Sequence, residues 1–150
     1  MNVKFLSSAE RKEILEKLEA QYGISKLNYL LFQIGKDKVR AYSGILSRTE
    51  LTKIARHVNV EIIGIYLCKL EKDGIRLSHD AVSLLKDKIT KNIFEIDNEQ
   101  AKKWFKGEDL VIETDKGYLI LKNSSLLIGC GKSTCERIMN FVPKERRIKS

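Results

Sequence analysis

Residues 94–132 read FEIDNEQAKKWFKGEDLVIETDKGYLILKNSSLLIGCGK, and their punctuation decides how the last third of the chain folds. Asp97 and Gln100 stand at capping-box spacing, so the Asp97 carboxylate can accept a backbone N–H while Gln100 reaches back to the start of a short helix. Gly107 is placed to close that helix in the left-handed conformation. Two apolar runs follow, residues 110–112 and 118–121, split by Thr114-Asp115-Lys116-Gly117. Asp/Gly chemistry favours tight turns, so this pair predicts a β-hairpin. A third run, residues 126–128, ends in Gly129-Cys130-Gly131, where missing side chains let another group come close.

Working outward, the first 90 residues carry the same signals in a different order. Residues 3–6 suit a short strand. Ser7 and Glu10 begin a helix whose apolar face is Ile14, Leu15 and Leu18, with Gly23 as its stop. Glu10, Arg11, Lys12, Glu13, Glu16 and Lys17 read as its solvated face. Residues 28–34 and 39–42 predict two strands around a Gly35-Lys36-Asp37-Lys38 turn. Ser47 and Glu50 open a second helix, with Leu51, Ile54, Ala55 and Val58 inward and His57 near its C-terminal end. The β-branched run 60–70 predicts a buried central strand. Residues 75–77 form another strand, and Ser78 caps a helix that turns Ala81, Val82, Leu84 and Leu85 inward. Apolar periodicity fails at residues 86–92, which predicts a boundary there. The expected fold class is α+β: an N-terminal α/β sandwich over residues 1–90, then a mixed β-barrel unit over residues 91–150.

Charge narrows the function. Among 150 residues, 28 are Lys or Arg against 20 Asp or Glu, a formal net charge of +8. That excess favours an anionic partner, nucleic acid above all. Half of it lies in residues 132–150, where Lys132, Arg137, Lys144, Arg146, Arg147 and Lys149 face only Glu136 and Glu145. Lys102, Lys103 and Lys106 add charge on the polar side of the helix before the barrel strands. These nine side chains are the candidate RNA-binding residues, since phosphate contacts supply most sequence-independent affinity. Phe141 and Tyr118 are placed to stack bases, although strand aromatics more often fill cores. Trp104 reads as core.

Catalytic and metal chemistry find little footing. Three cysteines, an odd number, fit a reducing compartment and no disulfide framework. Cys130 and Cys135 lack zinc-ligand spacing, so no metal and no cofactor is expected. Ser78, His79 and Asp80 are adjacent in sequence, and neighbouring helical positions point apart, which argues against a nucleophile–base–orienter chain. Gly131-Lys132-Ser133 ends like a phosphate loop but lacks its first glycine, with Leu126 in that place. No apolar stretch has membrane-spanning length and no leader pattern is visible, so a cytoplasmic protein without membrane contact is expected. The chain is expected to be non-enzymatic.

The order of Ala101, Phe105, Gly107, Asp109, Gly129 and Gly131 resembles the PUA domain, a small RNA-binding β-barrel. An α/β unit carrying Arg76-Leu77-Ser78-His79 and Ala81, followed at once by such a barrel, is similar to a small archaeal and eukaryotic ribosome-biogenesis factor of the large subunit. The Phe5-Leu6-Ser7 leader matches as well. The end departs from that pattern: Gly129-Cys130-Gly131-Lys132 and the Phe141-Val142-Pro143-Lys144-Glu145-Arg146-Arg147 segment look more like the RNA-binding tail of rRNA cytosine methyltransferases. The resemblance implies rRNA or tRNA as partner, protein contacts through the first unit, and a role in rRNA processing. An accessory subunit of an RNA methyltransferase or pseudouridine synthase is the alternative. Arg146 and Arg147 are expected to carry the contact without contributing to stability.

Overall fold

The computed structural model describes residues 3–58 and 63–149. Nine strands and four α-helices are described: β1 (Val3–Phe5), α1 (Ser8–Tyr22), β2 (Leu30–Ile34), β3 (Lys38–Tyr42), α2 (Arg48–Ala55), β4 (Ile65–Glu71), β5 (Gly74–Leu77), α3 (His79–Leu84), β6 (Ile93–Glu95), α4 (Asn98–Phe105), β7 (Gly117–Asn123), β8 (Leu126–Ser133) and β9 (Ile138–Met139).

Local capping chemistry sets the helix starts. The Ser7 hydroxyl accepts the Glu10 N–H at 3.2 Å, and the Ser78 hydroxyl accepts that of Ala81 at 3.0 Å. Ser47 and Glu50 form a reciprocal box. Helix α1 buries Ile14, Leu18 and Tyr22. Its charged face is not wholly solvated, because the Arg11 guanidinium donates to the carbonyls of Tyr29 and Leu27, each at 2.6 Å. The backbone of the loop before β2 is thereby tied to the helix. Arg56, not His57, caps α2, whose backbone ends one turn earlier than the apolar stripe suggested.

Strands β1 to β5 lie in chain order in one sheet and every neighbouring pair is antiparallel. The helices interrupt this meander without crossing over to parallel partners, so the unit is α+β in its connections. Alternation sorts its faces: Leu31 joins the main core with Leu18, Tyr22, Leu67 and Ile75, while Phe32 joins Leu51 and Ile63 beneath α2. The predicted strand over residues 60–70 is β4, paired on both edges; positions 60–62 lie outside the described residues.

The second sheet runs β6-β7-β8-β9, curled and mixed. β6 pairs parallel with β7, and β7 and β8 form an antiparallel hairpin turning at Ser124, whose φ is 55°. This differs from the expected hairpin of residues 110–112 with 118–121. Both edges of β7 are occupied, so Leu110 pairs instead with Ile138, exchanging backbone hydrogen bonds of 3.0 and 2.8 Å.

One hydrophobic cluster runs through both sheets: Tyr22, Ile75 and Leu77 pack with Tyr118, Ile120 and Cys130. The Tyr22 hydroxyl bonds the Ile75 carbonyl and lies 3.7 Å from the Cys130 sulfur. Residues 86–92 are pinned rather than loose. Ile89 is buried, and the amides of Thr90 and Lys91 both donate to the Tyr22 carbonyl. Burial pushes the Cys68 thiol up to about 12 and Cys130 to about 11, so both stay neutral and act as small core side chains. Among the described residues, no helix is long and apolar enough to cross a membrane.

Candidate nucleic-acid interface

Helix α4 sets the geometry. Its capping box is complete: the Gln100 N–H donates to Asp97 at 2.8 Å and the Asp97 N–H donates to Gln100 at 2.9 Å. Ala101 and Trp104 turn inward, which leaves Lys102, Lys103 and Lys106 exposed. The last carbonyls of a helix have no partner within it, and here the tail supplies one. Asn140 donates its side-chain N–H groups to the carbonyls of Trp104 (2.8 Å) and Glu108 (2.9 Å), and the Ile148 N–H donates to that of Phe105 at 2.8 Å. Asn140 also takes the Val142 N–H and gives its own to Asp109, both at 2.8 Å. Sequence reading passed over Asn140, because nothing local marks a residue whose partners lie more than thirty positions away.

Ile148 is bonded to Phe105, Arg147 lies over Gly107, and the Arg147 N–H donates to the Lys144 carbonyl, so the backbone that carries Lys144 and Lys149 runs past the end of α4 that carries Lys103 and Lys106. None of these four lysines has an acidic partner among the described residues. The other predicted cations fare differently. Lys102 pairs with Glu99 at 3.5 Å on open surface. Arg137 lies 3.5 Å from Asp109, and Arg146 lies 3.0 Å from Asp80, with the latter pair 54% and 55% exposed. Exposed pairs of this kind are worth about 0–1 kcal/mol, so both arginines can exchange a carboxylate for a phosphate.

Lys132 and Arg147 are committed elsewhere. The Lys132 ammonium sits 2.8 Å from Asp73 at 26% exposure and 5.4 Å from the centre of the Tyr118 ring. The Tyr118 hydroxyl donates to the same carboxylate at 2.9 Å. The Lys132 and Tyr118 bonds hold the Asp73 carboxyl below the usual carboxylate range. Tyr118 is therefore core and joint, not a stacking platform. Arg147 donates from Nε to the Val142 carbonyl at 3.0 Å and lies over Gly107, where an added Cβ would come within 2.4–2.7 Å of its guanidinium end. Gly107 is thus needed for this close approach as well as for its φ of +90°.

Beside the lysine cluster a cleft of about 280 Å³ opens where the two sheets meet. Its lining takes Tyr66, Arg76 and His79 from the N-terminal part of the chain, and Trp104, Gly129 and Phe141 from the C-terminal part. The Arg76 guanidinium stacks on the Phe141 ring, 3.9 Å from its centre, and lies 3.7 Å from Glu71. His79 Nδ1 and Trp104 Nε1 are buried with no hydrogen-bond partner among the described residues. Burial, and secondarily Arg146, hold the His79 imidazole below its ordinary value against the pull of Asp80, so it is neutral at pH 7. The Ser78 hydroxyl donates to the Tyr66 carbonyl and accepts from Ala81, so it is spent on backbone and is not aimed at His79.

Residues 91–148 match the family model described as the Methyltransferase RsmF PUA domain. Among curated proteins, the chain is similar to the ribosomal RNA small subunit methyltransferase F of Vibrio vulnificus (strain YJ016), 32% identical over 55% of this chain and 18% of that protein. The namesake from Aeromonas salmonicida (strain A449) is 25% identical over 93% of this chain and 28% of its own length. That from Erwinia tasmaniensis is 30% identical over 65% and 21%. The chain therefore spans between 18% and 28% of the length of these relatives. The C-terminal part is PUA-like, and of the two resemblances drawn from sequence the matches support the methyltransferase one. The tail that caps α4 and the four unpaired lysines all fall within this PUA-like part or one residue beyond it.

Proposed function

We infer that this protein is a non-enzymatic RNA-binding module that delivers rRNA affinity to a modification reaction carried out by a catalytic unit elsewhere, on another chain or on the same polypeptide. The observation that carries this reading is the gathering of Lys103, Lys106, Lys144 and Lys149 on a PUA-like unit, unpaired among the described residues, where a backbone of phosphates supplies the missing partners. Support for the reaction class comes from the relatives, which are named as small-subunit rRNA methyltransferases. Arg137 and Arg146 add exchangeable charge, and this reading assigns protein contacts to the first unit. Action on ribosomal precursors without a modification enzyme is the other outcome.

The experiment is a salt titration of binding to single-stranded RNA by fluorescence anisotropy, using the whole chain. With about four phosphates neutralised on a single strand, log affinity falls against log salt with a slope near −3. Replacing the four lysines by alanine flattens that slope. A wild-type affinity that barely changes with salt refutes the electrostatic interface. Crosslinking in cells, with sequencing of the bound fragments and of co-purified proteins, then separates the two outcomes: a methyltransferase partner with small-subunit rRNA supports the first, and ribosomal precursors alone support the second.

A further inference from the structure

The geometry points to the cleft beside the lysine cluster as a pocket for one unstacked nucleobase, with the Arg76–Phe141 stack as its platform. This rests on the RNA-binding reading above and says where a base goes once the phosphates are held. Position is the first reason. Pro143 and Glu145 line the cleft and the exposed Lys144 lies between them in the chain, so a strand held by that lysine passes close to its mouth.

Charge is the second reason. Arg76, the one cation among the cleft's lining residues, is already paired with Glu71 at 3.7 Å and is mostly buried. A phosphate has little to gain inside, whereas a neutral ring loses nothing there. The platform is the third. A guanidinium lying 3.9 Å from the centre of a Phe ring is a flat, polarisable surface held in place from both sides, and Arg and aromatic faces are what unstacked bases use in single-strand recognition.

Edge chemistry completes the case. Buried polar atoms in native proteins have partners, and each exception calls for an explanation. His79 Nδ1 and Trp104 Nε1, both from residues lining this cleft, lack one among the described residues. A nucleobase edge carries donors and acceptors side by side, which an aliphatic or phenyl side chain of a partner protein does not. The cleft, about 280 Å³, is at the small end for ligand sites, a size for one ring system and not for an extended peptide.

Trp104 is the single tryptophan of the chain, so its indole N–H gives one resonance that reports on the cleft directly. The whole protein is titrated with a degenerate single-stranded RNA octamer, and that resonance and the affinity are followed together. The expected result is a saturable indole shift, with Phe141→Leu lowering affinity about tenfold while the salt slope stays as in wild type. Arg76→Lys, which keeps the charge and removes the flat face, lowers affinity likewise and stands in should the Phe141 variant not fold. RNA bound with the wild-type slope, an unmoved indole resonance and full affinity in both variants overturn the pocket and leave the RNA-binding reading intact. Absence of any RNA binding overturns both. An indole shift produced by aromatic peptides and not by RNA reassigns the cleft to a protein partner.

Discussion

Gly131→Ala is the substitution whose cost the structure specifies most closely. A Cβ built at Gly131 lies 2.5 Å from Ile138 Cγ2, 2.9 Å from Trp104 Cη2 and 3.1 Å from the Met139 carbonyl oxygen. Ile138 and Trp104 are fully buried, so a retreat by either disturbs the core packed around it. Ile138 is also paired to Leu110 on one side and Ser133 on the other, so its retreat would loosen β9. Overpacking against fixed neighbours costs about 1–3 kcal/mol, and three contacts at once place this variant near about 3 kcal/mol. For a chain of this size that lowers the melting temperature by about 6–12 °C. Gly129→Ala meets only Trp104 Nε1 at 2.8 Å, with the next ring atoms at 3.5 Å, and should cost about 1 kcal/mol. Urea unfolding followed by Trp104 fluorescence reads both. If Gly131→Ala falls within about 0.5 kcal/mol of wild type, or below Gly129→Ala, the close seating of the indole on β8 is refuted.

The two tail arginines separate in the same assay. Arg147→Ala loses its bond to the Val142 carbonyl and its seat on Gly107, and should destabilise by about 1.5 kcal/mol. Arg146→Ala should move the melting temperature little, since its pair with Asp80 is exposed; equal losses would mean the tail is not anchored through Arg147. Asp73→Asn tests the joint by pH. A carboxyl held low in the folded state contributes stability above its unfolded value, about 3.9, and that contribution disappears as pH falls through the lower folded value. Wild type should therefore exceed Asp73→Asn in melting temperature at pH 7 by a small margin, given the exposure of the carboxylate. The margin should close in acid. A margin that stays constant from pH 7 down to pH 2 would remove Asp73 from the joint.

Helix caps were legible because their partners are three residues apart. Ser7 with Glu10, Ser47 with Glu50 and Asp97 with Gln100 each announce a helix that the fold contains. So was the preponderance of positive charge at the C-terminal end, which is a count. Strand partners were less so. Residues 110–112 carry the same apolar pattern whether they pair with β7 or with Ile138, and only the occupied edges of β7 exclude the first. The candidate site divides along the same line. Sequence alone assigned nine basic residues to it, yet whether a cation is free depends on which acid the fold sets beside it. Asp73 claims Lys132 across 59 positions and Asp80 meets Arg146 across 66, while Lys144 and Lys149 are left to solvent. The cleft is wholly tertiary. Arg76 and Phe141 lie 65 residues apart, and their stacking follows from two sheets sharing one core, a long-range packing event that no local pattern encodes.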